Sequence, residues 1–332
     1  MDACHDADAV SSGPIARNHL VVTADDFGLH TDVNEAVEIA HRFGILSAAS
    51  LMVAGPAAAD AVRRARRLPG LRVGLHLALV DACSLLPASA IPDLVDTSNR
   101  LRTDLFRVGI DMVLRPALRR QFAAEIAAQF EAYRTTGLAL DHVNAHRHFH
   151  LHPIVAKMIM GLSRQYGVGA LRVPLEPTSL LGRLEPGVRR WSPVFRSWSQ
   201  RLRTQAVRNQ LLVPDAVFGL AWSGAMTRTR LLALLRALPP GLMEIYLHPA
   251  TSNAFAGSAT GYCYTEELAA LTDRSCLEAL MQGRHTLGGY ADAAKFLPAK
   301  SGRKKVKRAR ARAERPDQEQ AARSRGSFEI RE

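Results

Sequence analysis

Asp141-His142-Val143-Asn144-Ala145-His146-Arg147-His148-Phe149-His150-Leu151-His152-Pro153 places histidines at 142, 146, 148, 150 and 152, each an even step from the next. On an extended strand, side chains two apart share a face, so these imidazoles project to one side until the strand ends. Pro153 cannot continue a ladder and suits the first turn of a helix. The stretch therefore reads as a strand that runs out at its C-terminal end with imidazoles at the exit. A surface histidine tract that collects metals adventitiously is the plain alternative. Against it stand acids and histidines at other strand ends of the same chain.

Upstream, His19 to Ala24 is apolar and β-branched, and runs into Asp25-Asp26-Phe27-Gly28. Val33, Ala36, Val37 and Ala40 then mark one stripe of a helix closing at Gly44. A second strand, Ser47 to Val53, breaks at Gly55-Pro56 before an Ala/Arg-rich helix, and a third, Leu71 to Leu79, carries His76 in its C-terminal half. The stretch from about 81 to 115 is too long for an ordinary connection and reads as a lid over an active site. Helices are expected over Pro116 to Tyr133 and from Pro153 to about Tyr166, and further strands over 170–173, 216–220 and 243–247, the last entering His248-Pro249.

Seven strand candidates alternating with helices argue for an α/β protein with a parallel sheet, either left open or closed as a TIM-like barrel. The barrel makes the sharper prediction, because polar residues that do chemistry then gather at strand C-termini. Asp25 and Asp26, His76, His146, Arg172 and His248 all fall there.

With 332 residues, 47% of them hydrophobic, the chain can bury one large core. No apolar run approaches the roughly 18 residues of a membrane span, and Met1 to Arg17 lacks the order of a secretory signal. Cys4, Cys83, Cys263 and Cys276 form no CxxC pair, so the cytosol is the expected compartment. The net charge of +12 is unevenly spread, since Lys300 to Glu332 holds twelve Lys/Arg and five Asp/Glu and so carries +7. We expect residues 1–17 to be a flexible extension, 18–298 the barrel, and 299–332 a basic, disordered tail. Nucleic acid is not the expected partner. Between Glu185 and Asp215 lie six arginines and no acid, with Trp191, Phe195, Trp198 and Leu202 at helical spacing. That pattern is an amphipathic helix, either packed into the core or touching a membrane or an apolar substrate.

Asp26, His76 and His146 would supply one carboxylate and two imidazoles to a single divalent cation and leave positions open for water and substrate. Such a set suits zinc first and tolerates nickel or cobalt, whereas magnesium prefers oxygen donors. Adjacent aspartates can divide the work if the Phe27-Gly28 loop turns them. Asp26 ligates while Asp25 stays free as a general base for a bound water, and His248 protonates a leaving amine. Amide or ester hydrolysis follows.

Four stretches, Thr23-Ala-Asp-Asp-Phe-Gly28, Gly74-Leu-His-Leu77, His142-Val-Asn-Ala-His-Arg-His-Phe-His150 and Glu244-Ile-Tyr-Leu-His-Pro249, resemble the YdjC/ChbG-like carbohydrate deacetylases. The resemblance implies a TIM-like barrel of the NodB-type design and metal-dependent removal of acetyl groups from N-acetylated sugars. It implies Asp25 as base, Asp26, His76 and His146 as metal ligands, His248 in the acid role and Arg172 as a supporting residue. Many relatives have Asp-Ser where this chain has Asn144-Ala145, which removes a carboxylate that would orient an imidazole. His148 is left to serve there or to contact substrate.

Ser47 to Asp60, His142 to His146 and Phe218 to Met226 look closer still to the branch associated with hopanoid biosynthesis. That branch implies a membrane-borne glycolipid substrate, N-acetylglucosaminyl bacteriohopanetetrol, with Trp191 and Trp198 near the aglycone and the protein peripheral to the inner membrane face. A soluble oligosaccharide such as chitobiose, another sugar reaction on the same barrel, and a non-catalytic binding role are the competing readings.

Overall fold

The computed structural model describes residues 18–188 and 191–295; the extension expected at 1–17 and the basic tail expected at 299–332 lie outside the described residues. The chain begins with β1 (His19–Phe27), α1 (Thr31–Phe43), β2 (Ala48–Leu51), α2 (Ala58–Arg66) and β3 (Arg72–Leu77). Helices α3 (Leu105–Leu114) and α4 (Pro116–Thr135) lead to β4 (Val143–Ala145). Next come α5 (Pro153–Ser163), α6 (Thr178–Leu184), α7 (Pro193–Arg208) and β5 (Ala216–Phe218). Then follow α8 (Arg228–Ala237), β6 (Leu242–Leu247), α9 (Tyr264–Thr272), α10 (Arg274–Gln282), β7 (Thr286–Leu287) and α11 (Tyr290–Ala294). None of these helices is long and apolar enough to cross a membrane.

The strands are parallel in the order β4-β3-β2-β1-β6-β5, which is the curled sheet that alternating strands and helices call for. β1 lies at its centre and is buried along its whole length, as an apolar, β-branched strand covered on both faces should be. The segment expected as a fifth strand at 170–173 shrinks to isolated parallel bridges, Val143↔Leu171 and Ala170↔Leu212. It still carries the ladder round, because Arg172 N donates to Val143 O at 3.0 Å and Val217 N donates to Leu175 O at 3.0 Å. The strand count is made up instead by β7, which pairs with the N-terminal end of β1.

β7 and α11 close the end of the sheet where the strands begin. The His19 ring donates to Gly289 O, Arg72 grips Asp292 through two hydrogen bonds, and Asp141 accepts from the Tyr290 and Ala291 amides. A carboxylate on the first amides of a helix satisfies donors the helix cannot, so Asp141 both caps α11 and seals the barrel floor. Chemistry is left to the opposite end.

Three expectations change. The histidine stretch stays extended only through Val143–Ala145; residues 146–151 form a 3-10 turn in which Arg147 and His148 take φ of +56° and +53°. The alternation therefore holds for His142, Asn144 and His146 and stops there. The 81–115 stretch is not irregular throughout. Ile91, Leu94 and Leu101 are buried, Cys83 pairs with Arg100, Glu125 receives the Leu85 and Leu86 amides, and 105–114 is α3. Finally, the two tryptophans do not share one apolar face. Trp191 precedes α7 and packs with Phe195 against Val217, Leu220 and Tyr246, whereas Trp198 is 38% exposed.

Candidate active site

Adjacent aspartates reach one site because β1 bulges. Its register against β2 shifts between Ala24 and Phe27, and Asp26 takes φ of +61°. The left-handed conformation costs a non-glycine residue about 1–2 kcal/mol, and is best tolerated by Asp and Asn. The turning thus begins at Asp26 itself and continues through Phe27-Gly28, where Leu29 N donates to Asp26 O at 2.9 Å and Gly28 takes φ of +99°. Asp25 and Asp26 are both buried, at 2% and 6% exposure.

Asp26 Oδ1 lies 3.2 Å from His76 Nε2 and 3.0 Å from His146 Nδ1. The three residues offer donor atoms all within 4.8 Å of one another. Donors around a zinc-sized ion at about 2.0–2.2 Å stand roughly 3–3.5 Å apart, so the set fits a cation. Burial pushes the Asp26 carboxyl up, but His146 and His76 outweigh it and hold it well below the usual carboxylate range. His76 is pushed down by burial, yet Asp25, Asp26 and Asn144 raise it overall. A proton therefore competes with any cation for Nε2.

Asn144 settles which nitrogen of His76 is available. The two residues are direct register partners on β3 and β4, and His76 Nδ1 lies 2.7 Å from Asn144 Oδ1. The Asn144 amide nitrogen donates to Ser50 Oγ at 2.9 Å and to Asp25 Oδ1 at 3.3 Å, so its oxygen must face His76. A carbonyl only accepts, hence Nδ1 carries the proton and Nε2 presents a lone pair. The orienting carboxylate missing from the sequence is replaced by an amide. Behind it, Ser50 meets His142 Nε2 at 2.9 Å, and His142 Nδ1 donates to Asp141 Oδ2 at 3.0 Å. Gly74 makes room for this chain, since a Cβ there would fall 2.5 Å from the His142 ring.

Arg172 is fully buried and clamps Asp25, with Nη1 on Oδ2 at 2.5 Å and Nη2 on Oδ1 at 2.9 Å. Its Nε and Nη2 also donate to Glu244 Oε1 at 3.0 and 2.8 Å, and its guanidinium lies 4.6 Å from the centre of the Tyr246 ring. Glu244 takes further hydrogen bonds from Thr23 and from the Tyr290 hydroxyl. Burial pushes the Asp25 carboxyl up; Arg172 and His76 overcome it and keep the group ionised far below its ordinary range.

His248 enters from the end of β6. Its ring lies edge-on to Tyr246 at 5.7 Å and to Tyr262 at 5.1 Å, and its backbone amide donates to Glu267. Its Nδ1 has no hydrogen-bond partner among the described residues. His148 turns to the Tyr246 hydroxyl at 3.0 Å, and burial, then His150 and Arg172, hold it well below the normal histidine value. Trp191 reaches the same rim through Tyr246. Trp198 does not, because it meets His152 edge-on at 6.3 Å. Sequence reading passed over Glu244, Tyr246, Tyr290, Ser50 and Glu267. A glutamate inside the apolar run Leu242-Met-Glu-Ile-Tyr-Leu247 was the available signal, since acids are almost never buried unpaired.

A parallel barrel whose active end joins a cation-fitting Asp-His-His set to an arginine-clamped carboxylate defines a hydrolase-type α/β scaffold. The chain belongs to the YdjC-like protein family, whose model matches residues 19–282. It is 30% identical to a carbohydrate deacetylase of Geobacillus stearothermophilus over 258 residues, 77% of this chain and 89% of that one. A carbohydrate deacetylase of Vibrio cholerae is 28% identical over 270 residues, 79% of this chain and 91% of that one. A solved structure from Enterococcus faecalis V583, whose description provisionally concerns cellobiose-phosphate cleavage, shares the fold. It has a TM-score of 0.65 and 21% identity, and the match covers 83% of this chain and 98% of that one.

Proposed function

We propose that this chain hydrolyses the N-acetyl group of an acetylated amino sugar, and that its substrate is a membrane-borne glycolipid, N-acetylglucosaminyl bacteriohopanetetrol. The hydrolytic part is supported by the similarity to carbohydrate deacetylases along most of the chain. The observation that carries it is the convergence of Asp26, His76 and His146 beside the clamped Asp25. The hopanoid part rests on the wording of Ser47 to Asp60, His142 to His146 and Phe218 to Met226.

Asp26, His76 and His146 would hold one divalent cation, zinc by the character of the donors, with nickel, cobalt or magnesium as alternatives. When bound, the cation supplies Lewis acidity that polarises an acetamide carbonyl and acidifies a coordinated water. Asp25 is the base. Arg172 keeps it ionised and fixes its plane, and Oδ2, which has one hydrogen-bond donor, retains an acceptor position for the proton of the attacking water. Basicity is given up for orientation. His248, on the far wall between Tyr246 and Tyr262, is the acid for the departing amine. Tyr246, His148 and Trp191 form the wall on which the sugar would lie.

Purified chain loaded with zinc, incubated separately with the acetylated glucosaminyl hopanoid and with chitobiose, tests both parts through released acetate. We expect acetate from the hopanoid at the higher kcat/KM. Acetate from chitobiose alone would remove the hopanoid assignment, and none from either would remove the deacetylase.

A further inference from the structure

We propose that the exposed apolar edge built by α3 and α7 is a docking surface for an anionic lipid bilayer. On α3, Val108 and Met112 face the core. Phe106, Ile110 and Val113, spaced i, i+4 and i+7, point outward at 80%, 43% and 56% exposure, beside Leu114 at 70%. Residues at that spacing form a single stripe. On α7, Leu202 and Ala206 are buried while Val194 and Trp198, again i and i+4, are 62% and 38% exposed. His152 joins the two helices. Its ring meets Trp198 edge-on, and it stands 3.5 Å from where a Cβ on Gly109 of α3 would sit. Beside Trp198 a groove of about 200 Å³ runs between α5 and α7, lined by Leu151, Pro153, Ala156, Leu202 and Arg201.

The charges around this edge select the occupant. Arg107, Arg196 and Arg201 are exposed, and among the described residues none has a carboxylate within ion-pair distance. The acids nearby are engaged, because Asp104 caps α3 through the Arg107 amide and Asp111 pairs with Arg102 at 2.8 Å. α7 contains no acid at all. Apolar tips and a tryptophan set among arginines are what a helix lying in a membrane interface presents, and anionic headgroups supply the missing countercharge. A second copy of the chain would set arginines against arginines across a two-fold interface. Both helices belong to connections that leave the C-terminal ends of strands, the end that carries Asp26 and His146. The inference does not depend on the deacetylase reading.

The test uses the full chain and phosphatidylcholine vesicles with and without phosphatidylglycerol, some carrying brominated acyl chains. We expect cosedimentation with the phosphatidylglycerol vesicles and quenching of tryptophan fluorescence by the brominated chains, with most of that quenching absent in Trp198→Phe. The triple variant Phe106→Ser, Ile110→Ser, Val113→Ser should lower vesicle partitioning about tenfold or more with an unchanged unfolding midpoint, since these side chains are exposed. Three outcomes overturn the proposal. They are no binding, binding without Trp198 quenching (a tether through the basic tail), and a triple variant that binds like the parent or instead dissolves a dimer.

Discussion

Arg172→Met isolates what holds the interior of the barrel together. The guanidinium makes two hydrogen bonds to Asp25 and two to Glu244, and all three groups are buried. Methionine keeps much of the volume but leaves two carboxylates facing each other without a cation. Deleting one partner of a buried ion pair costs about 3–5 kcal/mol, and we expect about 4 kcal/mol here at neutral pH. The pH dependence fixes the cause. In the parent chain the folded-state pKa of Asp25 is depressed, so the group adds stability above its unfolded pKa of about 3.9 that is lost as pH falls. In the variant the sign reverses. Without the guanidinium, burial raises the Asp25 carboxyl, the folded state holds the extra proton, and the penalty grows as pH rises from about 4 toward 7. Urea unfolding followed by tryptophan fluorescence, at about pH 5 and pH 7, reads both quantities. A loss under about 1 kcal/mol, or one independent of pH, would refute the clamp as the organising element.

Two further outcomes follow from individual contacts. Asn144→Ala removes the acceptor on His76 Nδ1 and should weaken zinc binding, measured by chelator competition, about 10- to 100-fold, with Asn144→Asp restoring it. His150 donates to Arg172 O and is fully buried, and burial followed by Arg172 pushes its pKa down to about 3. Its folded pKa lies below the unfolded one, so its contribution is complete above about pH 6.5 and falls by about 2 kcal/mol on going to pH 5. His150→Asn should remove that part of the acid slope in unfolding midpoints.

Much of this arrangement was legible before any coordinates. The apolar β1 run, the α1 stripe at Val33, Ala36, Val37 and Ala40, and proline at the starts of α4 and α5 encode local structure through periodicity and backbone chemistry, and each is observed. Asp25, Asp26, His76, His146, Arg172 and His248 were singled out because polar residues at strand ends are conspicuous against apolar runs. Spacing failed where the backbone departs from its period. Two left-handed residues at 147 and 148 broke the histidine alternation, and a bulge at Asp26 shares the turning assigned to Phe27-Gly28 alone. Partners distant in sequence were also hidden. Asn144 serves His76 through strand register, and Tyr290 reaches Glu244 from the last described helix, which no local pattern encodes. Trp191 and Trp198 share helical spacing, yet Trp191 lies before α7 begins, so the pair was never on one helix face.

The account turns on whether Asp26, His76 and His146 take up one cation while Asp25 stands beside it. Metal content per chain after zinc loading and exhaustive dialysis, compared between the parent, Asp25→Asn and His146→Ala, tests this most directly. One equivalent in the parent and in Asp25→Asn, with almost none in His146→Ala, is the predicted result. Equal loading of His146→Ala and the parent, or two equivalents in the parent, would contradict it.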